Sequence, residues 1–154
     1  MRRIVPTLAL LLACTGCTAK RTPPAQIMNT GADIPLASLP NNPLAWRVVT
    51  SGANRTQKIM YTLYADDNAI GRARSSGDYP PGSQIALVTW TQKEDPHWFG
   101  GSIPGQPVSV EYLSFSASTP KYTRFIGHPL TQDTAPVDPA RILYITSMKP
   151  ALMP

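Results

Sequence analysis

Beyond position 17 the chain contains no cysteine. This excludes a disulfide, a zinc–thiolate site, an iron–sulfur cluster and a thioether-linked haem from residues 18–154, so that part must be stabilised by packing. Long apolar runs are also missing. The strongest, Ile4 to Ala13, is broken by Pro6 and Thr7 and reaches about half of the ~20 residues a membrane-spanning helix needs. A basic stripe is absent too: apart from the pairs Arg2-Arg3 and Lys20-Arg21, the basic residues Arg47, Arg55, Lys58, Arg72, Arg74, Lys93, Lys121, Arg124, Arg141 and Lys149 stand apart, among nine acidic residues. Nucleic-acid surfaces are built from basic stripes, so no nucleic-acid partner is expected. No segment repeats another.

What is present begins with Met1-Arg2-Arg3, a basic start followed by the apolar run and then small residues leading to Cys14-Thr15-Gly16-Cys17. Together these form a secretory signal. A cysteine directly after the cleavage site predicts a bacterial lipoprotein, with residues 1–17 as leader and lipobox. Cys17 follows the small residue Gly16 and gives a leader of ordinary length. Cys14 follows the better apolar approach Leu11-Leu12-Ala13 but would leave a short leader. Cys17 is the favoured anchor, Cys14 the alternative, and an ordinary signal peptide the bland reading. The C-x-x-C spacing is not a redox pair, since it lies in or beside a removed peptide and lacks the scaffold that lowers a thiol pKa. Thr18 follows Cys17 where haem attachment requires histidine. Thr18-Ala19 carries no acidic retention signal, so the expected location is the periplasmic side of the outer membrane. Loss of Arg2 and Arg3 lowers the formal charge from +5 to +3.

The 17 prolines gather at 23–43, 80–81, 104–107 and 129–154, punctuating the hydrophobic segments between them. Residues 18–43 are poor in bulky apolars and read as a flexible tether, with Ile34-Pro35-Leu36 able to pack on the domain edge. A single domain over 44–154 is expected. Trp46–Val49 and Thr56–Tyr64 read as strands, and Asp66-Asp67-Asn68 supplies cap chemistry for a short helix over Ala69–Arg74 that ends at Gly77. Gln84–Gln92 has a continuous apolar middle and reads as a central strand covered on both faces. Lys93–Gly105 is an expected loop. Pro107–Phe115 alternates, with Val108, Val110 and Tyr112 on one side and Ser109, Glu111, Leu113 and Phe115 on the other. Lys121–Ile126 is a further strand, 127–139 a loop, and Ala140–Leu152 a terminal helix or bent strand. The expected class is α+β, an antiparallel sheet with one or two short helices.

From Asn54 to Glu111 the chain resembles the cytochrome P-460 domain family. The likeness rests on an ordered series: Asn54-Arg55-Thr56-Gln57-Lys58-Ile59-Met60-Tyr61, the small-residue helix at 69–74, and Gly77-Asp78-Tyr79-Pro80-Pro81-Gly82-Ser83 with its strand ending Thr89-Trp90. It continues through Glu94-Asp95-Pro96-His97-Trp98-Phe99-Gly100, Ile103-Pro104-Gly105 and Ser109-Val110-Glu111, and Tyr144–Leu152 is similar to the family's closing segment. The resemblance implies a periplasmic α+β domain, often a homodimer, with c-type haem bound through C-x-x-C-H near its C-terminus. Members oxidise hydroxylamine, with a lysine also joined to the haem, or bind nitric oxide. Here the corresponding stretch, Ile126-Gly127-His128-Pro129-Leu130-Thr131-Gln132-Asp133-Thr134, has no cysteine. Covalent haem is therefore not expected, no lysine is assigned a cross-link, and no cofactor is predicted.

Four side chains remain as candidates. His128 lies where the resemblance implies the axial ligand, and a neutral imidazole there is chemically able to ligate a non-covalent haem; its bland reading is a loop histidine before proline. His97 is a candidate base oriented by Asp95 or Glu94, or else part of a turn that Asp95 caps and Trp98 closes. Glu111 lies in an apolar strand, and with His97 and Trp98 it marks a candidate ligand pocket if its face is buried. Asp66-Asp67-Asn68 lacks the glycine and distal glutamate of a calcium loop. Three functions stay open: a haem-less anchored accessory or small-ligand-binding domain, leaning away from an enzyme; a redox enzyme or nitric-oxide binder using non-covalent haem; and a structural or partner-binding envelope lipoprotein.

Overall fold

A computed structural model describes residues 28–73, 75, 79–117 and 119–150. The leader, both cysteines, the helix end at Gly77 and the last residues of the closing segment lie outside them. Six strands run β1 Arg47–Asn54, β2 Ile59–Ala65, β3 Gln84–Glu94, β4 Ser102–Ser114, β5 Lys121–Ile126 and β6 Thr131–Asp133. They form one antiparallel sheet in the order β1-β2-β3-β4-β5-β6, so every strand pairs with its neighbours in sequence. The expected α+β class with an antiparallel sheet and few short helices is what this chain adopts.

Strand β3 explains why the sheet is covered twice. Ile85 through Trp90 are all buried, and because side chains alternate, Ile85 and Leu87 point one way while Ala86, Val88 and Trp90 point the other. On the first face Leu63, Ala65, Ile85, Leu87 and Leu113 meet Ile145 of helix α2 (Pro139–Thr146) and the segment of helix α1 (Ile70–Ala73). Ala65, Ala69 and Ala73 are small enough to let that segment lie close to the strands. Asp66 secures it: its carboxylate accepts from the Ala69 amide at 2.8 Å and the Gln84 amide at 2.9 Å. This realises the expected capping role of the 66–68 group.

The second face carries Ala86, Val88, Trp90, Val110, Tyr112 and Phe125, covered by Leu130 and the N-terminal segment. Here the expectation of a flexible tether through residue 43 fails for the part described. Short 3-10 turns at Thr30–Ala32, Leu36–Ser38 and Pro43–Ala45 run across the sheet, and Ile34 and Pro43 are buried. Trp90 Nε1 donates to the Ala32 carbonyl at 2.9 Å and Tyr112 Oη to the Asn41 carbonyl at 2.6 Å. One isoleucine and one proline are enough because the sheet itself supplies the large apolar partners and the buried donors. The folded domain thus begins well before residue 44.

Other boundaries shift for local reasons. Strand β1 extends to Asn54, beyond the expected Val49, because Gly52 and Ala53 add no bulk beside β2. Gly52 is needed there: a β-carbon would run into the Tyr61 ring lying across it. The expected 93–105 loop is largely strand, with Lys93 paired to Ile103 and Glu94 to Ser102, leaving a tip at 95–101. Two register shifts near Trp90 accommodate Pro104 and Pro107, which cannot donate to the ladder. Gly105 sits in this irregular stretch, where a β-carbon would strike the Thr91 hydroxyl. Strand β6 lies inside the expected 127–139 loop. Among the described residues no helix is long and apolar enough to cross a membrane.

Candidate functional site

Strand alternation sends Glu111 to the first face, with Leu113 and Phe115, and its side chain is 2% exposed. A carboxylate taken from water to this degree must be paired. Helix α2 provides the partner. Asp138 caps it by accepting from the Ala140 amide at 2.9 Å, and Pro139 occupies its first turn. The helix then turns Ile142 and Ile145 onto the sheet, and Arg141, one turn before Ile145, lies beside them. Arg141 grips Glu111 with both arms: Nε to Oε2 at 2.8 Å and Nη2 to Oε1 at 2.6 Å. Tyr122 of β5 adds a third bond, its Oη donating to Oε2 at 2.6 Å.

Charge continues along the sheet. Glu111 stands opposite Arg124 on β5, and Arg124 opposite Asp133 on β6. The Arg124 guanidinium binds Asp133 through Nε at 2.8 Å and through Nη2. The Ala135 amide, donating at 2.9 Å, and Arg124 hold the Asp133 carboxyl below its ordinary range. Burial, reinforced by the hydrogen bond to Glu111 and that residue's negative charge, pushes the Tyr122 phenol well up. The bond to Glu111 likewise raises Arg141. Tyr122 therefore stays a protonated donor and Arg141 a fixed cation.

Arg141 is not fully enclosed. About a third of its side chain (36%) is exposed, and it forms a wall shared by two clefts. The larger, about 330 Å³, is bounded by Asn54, Arg55, Gln57, Tyr61, Thr89 and Tyr144. The smaller, about 240 Å³, lies between Tyr122, Arg124, Val137 and Asp138. The Arg141 guanidinium also sits 5.0 Å from the centre of the Tyr144 ring. The result is a cation fixed from below by a buried acid, with donors left over toward the cleft. Arg55 adds a second positive charge at the rim, making no ion pair among the described residues. Such a wall suits recognition of a small anion or carbonyl-bearing solute.

The expected grouping of Glu111 with His97 and Trp98 does not form. Glu111 pairs with Leu87, while the histidine lies past Glu94 at the hairpin tip, about 23 Å farther along the strand. His97 and Trp98 are both exposed there; the Asp95 carboxylate accepts from the His97 amide at 2.8 Å, so Asp95 orders the turn and leaves the imidazole alone. His128 is exposed in the β5–β6 turn, before a cis proline, and is not part of the clefts that Arg141, Lys93 or Trp90 line. No three histidine, cysteine or acidic side chains among the described residues converge as a metal site.

Sequence reasoning missed Arg141 and Tyr122. A signal for both existed: an acid in a strand buried on both faces demands a cation, and Arg141 flanks the apolar stripe of Ile142 and Ile145. Comparison of the chain with protein-family models finds no match, and comparison with curated proteins finds none.

Proposed function

We propose that the chain is an envelope lipoprotein whose domain, cytochrome P-460-like but without covalent haem, binds a small anionic solute and does not transform it. The observation that supports the binding role is Arg141, locked from beneath by Glu111 and Tyr122 yet open to a cleft of about 330 Å³ that Arg55 also borders. The acid of the site already accepts three hydrogen bonds, and its phenol is pushed away from ionisation, so neither is poised to move a proton for a ligand. Asn54, Gln57 and Thr89 add neutral polar groups that orient a carboxylate or phosphate. The anchor reading rests on the Leu-rich leader ending at Gly16-Cys17.

Titration calorimetry with inorganic phosphate and a series of mono- and dicarboxylic acids tests the binding role. Saturable binding of at least one is expected, weakened about tenfold in Arg55→Ala, which removes one charge-assisted contact without touching the core. No heat from any of them, or equal affinity in the variant, refutes the reading. Intact mass of membrane-extracted protein tests the anchor: added acyl mass is expected, and its loss in Cys17→Ser assigns the residue.

A further inference from the structure

At one end of the sheet the β3–β4 hairpin projects a tip carrying Trp98, 75% exposed, and Phe99, 104% exposed. Two large aromatic side chains held fully in water at the apex of a turn are unusual for a soluble surface. Three cations gather beside it: Arg55, Lys58 and Lys93 line one cleft against the hairpin stem together with Glu94, while Asp95, at the tip itself, spends its carboxylate on the His97 amide. The β1–β2 turn is tied there by the Gln92 amide, which donates to the Lys58 carbonyl at 2.7 Å. The N-terminal end of the folded domain lies at this same end. Asn29 Nδ2 donates to the Pro104 carbonyl at 2.6 Å, at the base of the hairpin, and Gly31 lies beside Lys93.

We propose that this tip is a membrane contact, with Trp98 and Phe99 seated in the interfacial layer of an anionic bilayer and Lys93, Arg55 and Lys58 against its headgroups. The proposal rests on the lipid-anchor reading for its geometry. The described chain starts beside the hairpin base, where Asn29 is tied to Pro104, and the 12 residues from Cys17 to Asn29 reach at most about 40 Å when extended, so an acylated Cys17 enters the domain from its hairpin end and leaves the tip within reach of the surface. Tryptophan favours the headgroup level because its ring is apolar and its N–H is polar, and nearby cations add attraction to anionic lipid. With the anchor supplying attachment, the tip sets orientation.

The test uses full-length acylated protein reconstituted in phosphatidylglycerol–phosphatidylcholine vesicles whose acyl chains carry bromine, a short-range quencher of tryptophan. Of the three tryptophans, Trp90 is buried and Trp46 is half-buried against Tyr112 on the second face, so Trp98 is the exposed one, free to enter lipid. Quenching is expected in the native chain, is lost in Trp98→Ser and reduced in Phe99→Ser, and weakens as phosphatidylglycerol is withdrawn. Both substitutions are at exposed sites, and unchanged circular dichroism verifies the fold. Absence of quenching, as when the tip faces a protein partner, overturns the inference, and so does equal quenching in Trp98→Ser. Intact mass of the same preparation reads the anchor separately: quenching without acyl mass sustains the tip contact while removing the anchor.

Discussion

Replacing Arg141 by Met removes the cation from a carboxylate that has 2% exposure. The remaining Tyr122 bond satisfies part of Oε2 and leaves Oε1 without a donor. Breaking one side of a buried pair costs about 3–5 kcal/mol. Because Arg141 is itself a third exposed, water reaches its side of the pair, and the expected loss is about 2–4 kcal/mol. Glu111→Leu alone strands the guanidinium less severely, since Arg141 can turn toward the cleft, and about 1–2 kcal/mol is expected. The double variant fills the space with apolar side chains and should recover most of the loss, lying within about 1 kcal/mol of the native protein. Urea unfolding of the four proteins gives the coupling directly. A folded domain has about 5–15 kcal/mol in hand, so all four should remain measurable. If Arg141→Met costs under about 0.5 kcal/mol, or if the double variant equals the sum of the singles, Glu111 and Arg141 are not a buried coupled pair and the site loses its basis.

Further expectations follow from the same geometry. Tyr112→Phe removes the bond to the Asn41 carbonyl, so it should cost about 1 kcal/mol and speed proteolytic cleavage between residues 29 and 46. Burial pushes the Tyr112 phenol up to about 12; since its folded pKa exceeds the unfolded value near 10, this stability is complete below pH 10 and disappears as pH rises through about 12. Ultraviolet titration should accordingly show a late-ionising component that loses one tyrosine in Tyr112→Phe, while Tyr122, also pushed up, keeps ionising late. Asp133 has a lowered pKa, so its contribution is complete above the ordinary carboxylate value and fades as pH falls through the depressed one. The Ala135 amide resonance should report that midpoint below the ordinary aspartate value of 3.8, and Asp133→Asn should abolish the transition. Gly105→Ala should destabilise by about 1–3 kcal/mol in thermal unfolding, because the added methyl meets Thr91.

Most of the sheet was legible in the residues. Ile85–Trp90 could only be a strand covered twice, and the alternation over 107–115 set Val110 and Tyr112 against Glu111, Leu113 and Phe115 as found. What composition hid was the cover on the second face. Residues 29–46 look too poor in bulky apolars to order themselves; the ties that hold them come from Trp90 and Tyr112, on strands far along the chain. β6 escaped notice because a strand of three residues carries too little pattern, and its place is set by Arg124 gripping Asp133. Glu111 was visible as a buried acid, but its partner lies 30 positions away on a helix, a separation that periodicity does not encode.

The strand order has a kinetic side. Because each strand joins the one just before it, the sheet can grow by closing successive short loops, each a small entropic step. What must then come from afar is the flap at 29–46, whose three ties span 58 to 75 positions. A chain threaded from its amino end would hold that flap ready and unseated until β3 and β4 emerge. Its docking is then the late event, and the second face stays sticky until it happens.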